Sequence, residues 1–301
     1  MTEGVRYPAL GKPVSLLAVA AVYLAAVTLG LEAAARSGAT HPIAWAFIAD
    51  LTATLVVFAF TCWYRNASTY DPYWSLIPML IVLYWLWASA GAPVVALRQW
   101  MVLGLVWAWG ARLTWNWLLR WRGLGDEDWR FGMLRARHGR RYWLVNLGGI
   151  HLLPTLLVFA GCLAAWPALA DSARNLNWLD VLALLVTGGS IWIEARADRQ
   201  LRAHRSGESD KGLASGLWAR CRHPNYLGEI GFWWGLYLFA LAANPAWWWT
   251  GVGALGIHLL FIRISVPMMD ARIAQRYPEH FERVRDLPAL VPLPVRREKV
   301  Q

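Results

Sequence analysis

Between Gly212 and Glu229 the chain reads GLASGLWARCRHPNYLGE, and an apolar run follows directly. These 18 residues hold Arg220, Arg222, His223, Asn225, Tyr226 and Glu229 behind a Gly-containing entry. Polar groups this dense beside lipid cost free energy unless they bind something. Arginines pair with phosphate oxygens, and carboxylates and amides accept sugar hydroxyls. The stretch therefore reads as a clamp for a charged cofactor, with an interfacial ring of salt bridges as the alternative.

A second set lies upstream. Glu194 and Asp198 are four residues apart and share one helix face, which Arg202 and Arg205 extend. Arg112 sits late in an earlier apolar run. Alternating acid and base at this spacing reads as a salt-bridged helix end or as a ribose and phosphate clamp. A third set is Asn66 to Pro78, NASTYDPYWSLIP, which places Asp71 between Tyr70 and Tyr73. Pro72 pushes Asp71 away from helical backbone. Asp71 then reads as a helix cap followed by proline at the first helical position. It reads alternatively as an acid that a low-dielectric site keeps protonated, able to donate to a carbonyl with a tyrosine beside it. Asp50, His151 and His258 fall inside apolar runs. The histidines read as structural, and Asp50 divides evenly between a paired structural acid and a pocket acid.

The elements that position these residues are membrane helices. The chain has 301 residues, 57% hydrophobic, with 22 Trp, above the roughly 45–50% apolar content of soluble domains. Apolar runs near 20 residues recur, the length that crosses a bilayer core of about 30 Å. Eight spans are expected, at about 14–31, 43–63, 74–90, 100–119, 143–168, 178–197, 229–243 and 246–263, with seven to ten as the range. The run 14–31 is longer than the core of a signal peptide and reads as a retained first span. With both termini inside, the outer loops hold Arg36, Arg98 and Arg174, three of the 29 Lys and Arg. That asymmetry fits the positive-inside rule. It explains the net charge of +10 without nucleic acid. The reading is an all-α polytopic bundle, a single transmembrane domain over 1–301. Cytosolic segments 198–228 and 264–301 would bind the cofactor. Three scattered cysteines, Cys62, Cys162 and Cys221, support neither a disulfide framework nor a metal site.

On these residues the chain resembles the steroid 5-alpha-reductase family, most closely its bacterial DUF1295-type membrane branch. SGLWARCRHPNYLGEIGFWWG is similar to the family's C-terminal signature, a Gly-Leu-aromatic entry followed by Asn-aromatic-x-Gly-Glu. Glu194, Asp198 and Arg205 stand at the separations of the family's Asn, Asp and Arg that hold NADPH. Asp71, with Pro78 seven residues on, resembles the acidic loop whose Glu is taken to bind the substrate's 3-keto oxygen. The tail RYPEHFERVRDLPALVP is similar in pattern to the family's ending, so the resemblance covers about 66–292. Two positions depart from the family. Trp109 stands where the family has a catalytic Tyr three residues before an Arg, here Arg112, and Trp donates only N–H. Glu194 replaces the family's Asn.

The resemblance implies an NADPH-dependent reductase of an activated C=C in a lipophilic substrate, a steroid or other isoprenoid enone. Asp71, with Tyr70 or Tyr73, would polarise the carbonyl. Arg112, Glu194, Asp198, Arg205, Arg222, His223, Asn225, Tyr226 and Glu229 would hold the cofactor. RHPNYLGE is also similar to isoprenylcysteine carboxyl methyltransferases, which implies S-adenosylmethionine as the alternative. A transporter or membrane scaffold, with Asp50 and Glu194 as an ion path, is the non-enzymatic class. The expected setting is a bacterial inner membrane with both termini cytoplasmic and membrane lipids as neighbours. Oligomeric state is left open.

Overall fold

The computed structural model describes residues 10–207 and 215–291, and every regular element among them is a helix. The expected all-α membrane architecture is what the chain adopts. Gly212 to Ala214, at the head of the motif above, lie outside the described residues.

The chain divides into two compact units, Met1–Ser172 and Ala173–Gln301. The first contains α1 (Lys12–Arg36), α2 (Pro42–Tyr64), α3 (Tyr73–Ala88), α4 (Ala96–Arg120), α5 (Trp129–His138), α6 (Tyr142–Val145), α7 (Leu153–Cys162) and α8 (Trp166–Ala170). A π-helical stretch, Asn146–Leu152, joins α6 to α7. Proline occupies the first turn of α1, α2, α7 and α8, where its missing N–H costs no intrahelical bond. The second unit contains α9 (Trp178–Arg205), α10 (Pro224–Ala243), α11 (Gly251–Leu260), α12 (Val266–Arg276) and α13 (Pro278–Val284), with a second π-helical stretch at Phe261–Ser265. A reciprocal cap starts α9: the Asn177 side chain accepts from Leu179 N–H at 3.1 Å, and Asp180 accepts from Asn177 N–H at 2.9 Å.

Six helical segments are long and apolar enough to cross a bilayer: Lys12–Arg36, Pro42–Tyr64, Trp129–Ala170, Trp178–Arg205, Pro224–Ala243 and Pro245–Arg276. The expected count of eight is corrected at α3 and α4. α3 has 16 residues, about 24 Å of helix. α4 has 25 residues but carries Arg98, Arg112 and Arg120 and is rich in Trp, a residue of membrane interfaces rather than of the hydrocarbon centre. Helices 9 and 10 also extend beyond the expected spans. Asp198 to Arg205 continue α9, and Asn225 to Glu229 lie in the first turns of α10.

Close packing in the second unit rests on glycine. A Cβ at Gly228 would stand 2.5 Å from Cβ of Glu194, one at Gly231 would stand 2.3 Å from Oγ of Ser190, and one at Gly235 would stand 2.2 Å from Oγ1 of Thr187. Small residues let helix backbones approach in lipid, where burial of apolar area supplies no driving force. Gly235→Val is expected to destabilise the protein by about 1–3 kcal/mol through overpacking. Gly189→Ala, at a position with open space around it, is expected to be neutral or slightly stabilising. Thermal unfolding of the two variants in the same detergent checks the contrast.

Candidate functional site

α2 ends at Arg65, whose φ of 53° puts it in the left-handed region, and Asn66 N–H returns to Thr61 O at 3.2 Å. Asn66 then fixes the next turn. Its Oδ1 accepts from Ser68 N–H at 2.7 Å, and its Nδ2 donates to Leu124 O at 2.6 Å and Asp126 O at 3.2 Å. Glu127 accepts from Ala67 N–H at 3.0 Å and pairs with Arg135 at 3.1 Å. The short turn Ala67–Thr69 is thereby bolted to the loop before α5.

Asp71 follows this turn. Pro72, not Asp71, is the cap of α3, and no side chain caps that helix. The capping role is thus not the one the carboxyl takes. It is half-buried and meets no side-chain hydrogen bond among the described residues. The surrounding protein raises it from the ordinary carboxylate range to about 7 by desolvation. Arg130 and Arg120 pull in the opposite direction, and Asp128 and Glu127 reinforce the rise.

Tyr70 and Tyr73 do not share that position. Both are buried, with rings stacked at 5.4 Å. The Tyr70 hydroxyl donates to His151 O at 3.0 Å and meets Thr155 Oγ1 at 2.8 Å. The Tyr73 hydroxyl donates to Asp50 Oδ1 at 2.9 Å and Asp50 O at 3.1 Å. The expectation that a tyrosine assists Asp71 is corrected: proline and the short turn send the two rings into the bundle and leave the acid at its edge. Trp109 is fully buried against Trp74 at 6.0 Å, and Arg112 lies one turn further along α4, half-buried.

In the second unit the α9 set is as spaced. Glu194 is buried, Asp198 half-buried and Arg205 exposed, all on one face of a continuous helix. An open groove lined by Trp192, Ala195, Arg196 and Arg199 lies roughly 100–200° around the helix from Glu194, so it does not adjoin that set. The segment after the undescribed loop closes on the end of α9: Trp218 Nε1 donates to Ala197 O at 3.0 Å and Leu217 N–H to Gln200 Oε1 at 3.1 Å. Gly216, at φ 63°, lies so close to Gln200 that a Cβ would stand 2.2 Å from its Nε2.

Arg222 and His223 are occupied by the protein itself. Arg222 Nε and Nη2 grip both oxygens of Asp270 at 3.2 and 3.0 Å, and Nη1 donates to Arg285 O at 2.9 Å and to Leu287 O. His223 Nε2 meets Asp270 Oδ1 at 2.8 Å. Backbone N–H groups of Arg222 and His223 donate to Pro288 O and Ala289 O, each at 3.0 Å. Desolvation lowers the His223 pKa against the pull of Asp270. These two residues strap the tail down. Tyr226 stacks on His223 at 5.1 Å and packs edge-on against Phe261. Glu229 accepts from Trp233 Nε1 at 2.8 Å. Asn225 differs: its Oδ1 is buried with no hydrogen-bond partner among the described residues, an acceptor that suits the hydroxyl or amide of a bound molecule.

Two outcomes follow for the strap. Asp270→Asn is expected to cost about 2–4 kcal/mol by leaving Arg222 without its counter-charge and to speed tryptic cleavage within 276–291. A depressed histidine pKa contributes stability that is complete above about 6.5 and lost as pH falls through the folded value. Wild-type thermal stability therefore declines on acidification below about pH 6.5, and His223→Gln flattens that decline; melting curves across pH read both.

A protein described as uncharacterized, from Schizosaccharomyces pombe (strain 972 / ATCC 24843), is 26% identical over 265 residues, covering 79% of this chain and 76% of that one. No solved structure matches. The family described as Protein of unknown function (DUF1295) matches residues 57–286, a range that takes in the Asp71 loop, the α9 acids, Arg222, His223 and Asp270. The chain belongs to the DUF1295 family.

Proposed function

We propose that this protein is a membrane reductase that saturates an activated C=C bond of a lipophilic enone, using NADPH. The observation that carries the reading is Asp71. It is a half-buried carboxyl in the turn between α2 and α3, raised to about 7 and without a side-chain hydrogen bond among the described residues. Near neutral pH much of it is a neutral acid, which can donate to a carbonyl oxygen. Polarising the carbonyl stabilises the enolate charge that develops when the β carbon is reduced.

Asn225, Asp198 and Arg205 fit a nucleotide. They are an orphaned buried acceptor, a half-buried carboxylate and an exposed guanidinium. Arg222 and His223 do not fit, because the tail holds them. When bound, NADPH supplies the hydride. The chain's own residues orient the carbonyl, donate the hydrogen bond from Asp71 and keep the reacting centre dry. The proposed setting is the inner membrane of a bacterium with both termini cytoplasmic, by the positive-inside rule.

Thermal unfolding of the detergent-purified full chain with NADPH, NADH, S-adenosylmethionine or nothing tests the cofactor. A ligand at about 100 times its Kd adds roughly 2.7 kcal/mol. Stabilisation by S-adenosylmethionine alone overturns the reductase in favour of a methyltransferase, and no shift with any of them overturns a nucleotide-dependent function. For the acid, Asp71→Ala is expected to lower the rate on an enone by about 10²–10⁴ with nucleotide stabilisation intact. Wild-type activity should fall as pH rises through about 7, where Asp71 loses its proton. Asp71→Asn keeps a donor that does not titrate, so its residual activity should be flat over the same range.

A further inference from the structure

A line of hydroxyl groups runs inside the first unit, apart from the Asp71 site. Asp50 lies eight residues into α2, about 12 Å along its axis, and is 6% exposed. Its Oδ1 accepts from the Tyr73 hydroxyl at 2.9 Å. Tyr73 accepts from Thr54 Oγ1 at 3.3 Å, Thr54 meets Thr155 Oγ1 at 3.0 Å, and Thr155 meets the Tyr70 hydroxyl at 2.8 Å. Thr54, Thr155, Tyr70 and Tyr73 are all buried.

Three features separate this line from ordinary core satisfaction. No Lys or Arg pairs with Asp50 among the described residues, and its Oδ2 receives no hydrogen bond. The hydroxyls are consecutive: once the Tyr70 O–H turns from His151 O to Thr155 Oγ1, every O–H points the same way, Tyr70 to Thr155 to Thr54 to Tyr73 to Asp50. The line also crosses from α2 to the turn before α3, where Tyr70 sits two residues before the cap of that helix. Ionisable groups inside membrane spans are costly and mark ion or proton paths. The other titratable groups facing Asp50 are Tyr70, Tyr73 and, from α7, Cys162. None of them is a cation that would fix Asp50 as a permanent ion pair.

We propose that Asp50 is an intramembrane proton-binding site and that the Tyr70–Thr155–Thr54–Tyr73 hydroxyls are the relay that loads and unloads it. On loading, Asp50 takes the Tyr73 proton, Tyr73 takes that of Thr54, Thr54 that of Thr155, and Thr155 that of Tyr70. Tyr70, itself buried, is reprotonated by a hydronium ion. Each hydroxyl breaks one O–H bond and forms another, so one proton has moved and every O–H along the line is left pointing away from Asp50. Unloading is the reverse. The relay does not depend on the reductase reading and applies to a transporter equally.

The test is time-resolved infrared difference spectroscopy on the full-length protein in detergent after a pH jump, following the carboxylic-acid C=O band. In an Asp71→Asn background, which removes the band of the other raised acid, the protein is expected to show a band change that Asp50→Asn abolishes. Thr54→Val and Thr155→Val, which remove a hydroxyl from different helices, are expected to slow its rise by about tenfold or more with the same end point. Thr54→Ser should restore the wild-type rate. If Thr54→Val does not fold, Thr155→Val and Thr54→Ser carry the comparison. A band change that survives Asp50→Asn overturns the site. Wild-type rates in the folded valine variants overturn the relay.

Discussion

A polar group carried into a bilayer has no water to fall back on, and the first unit is organised by that constraint. The face of α2 that holds Asp50, Thr54 and Thr61 is buried, so its oxygens must be met by groups from other helices. They are. Tyr73 and Tyr70 reach in from the turn before α3 and its first residue, Thr155 from α7, and His151 Nε2 meets Thr61 at 3.1 Å. Once the two tyrosines are committed inward, Asp71 is the polar side chain between them left at the edge. The division between an inner proton site and an outer acid is thus a consequence of satisfying one helix face.

The second unit answers the same constraint with fewer groups. Glycines on α10 bring it against α9, so Glu194 and Glu229 sit on helices whose backbones nearly touch. Asp270 does the work of several partners. It holds one arginine by two oxygens and one histidine by a shared oxygen. Through the same arginine it fixes the carbonyls of the tail. Density of charge in a loop motif, which reads as ligand chemistry, here serves in part to keep the chain's own end in place.

Much of the fold was legible in the sequence because runs of apolar residues set helix length directly. What blurred it was α4, where Trp and Arg dilute the apolar run, and α3, too short to reach across. Asp71 was legible from its proline and its flanking tyrosines. The direction of those tyrosines was not, since spacing says nothing about which hydroxyl across the bundle a ring will meet. The tail contacts of Arg222 and His223 were not legible for a related reason. Their partner, Asp270, is 48 residues away from Arg222, and no local pattern announces it. The hydroxyl line was overlooked although a signal exists: Asp50, Thr54 and Thr61 recur at helical spacing on one face of an otherwise apolar span.

The π-helical stretch Asn146–Leu152 bears on all of this. It presents Asn146 and His151 to the interior and delivers α7 in the rotation that brings Thr155 between Thr54 and Tyr70. A π turn holds one residue more than an α turn. Removing one residue from this stretch and letting it relax to α geometry would leave α7 close to its present rotation, because the residue taken out is the extra one of the π turn. The segment can therefore absorb the loss of one residue in register, as it can a substitution at Gly148 or Gly149, each with open space around it, whereas one residue lost from a regular α-helix would turn everything downstream by about 100°.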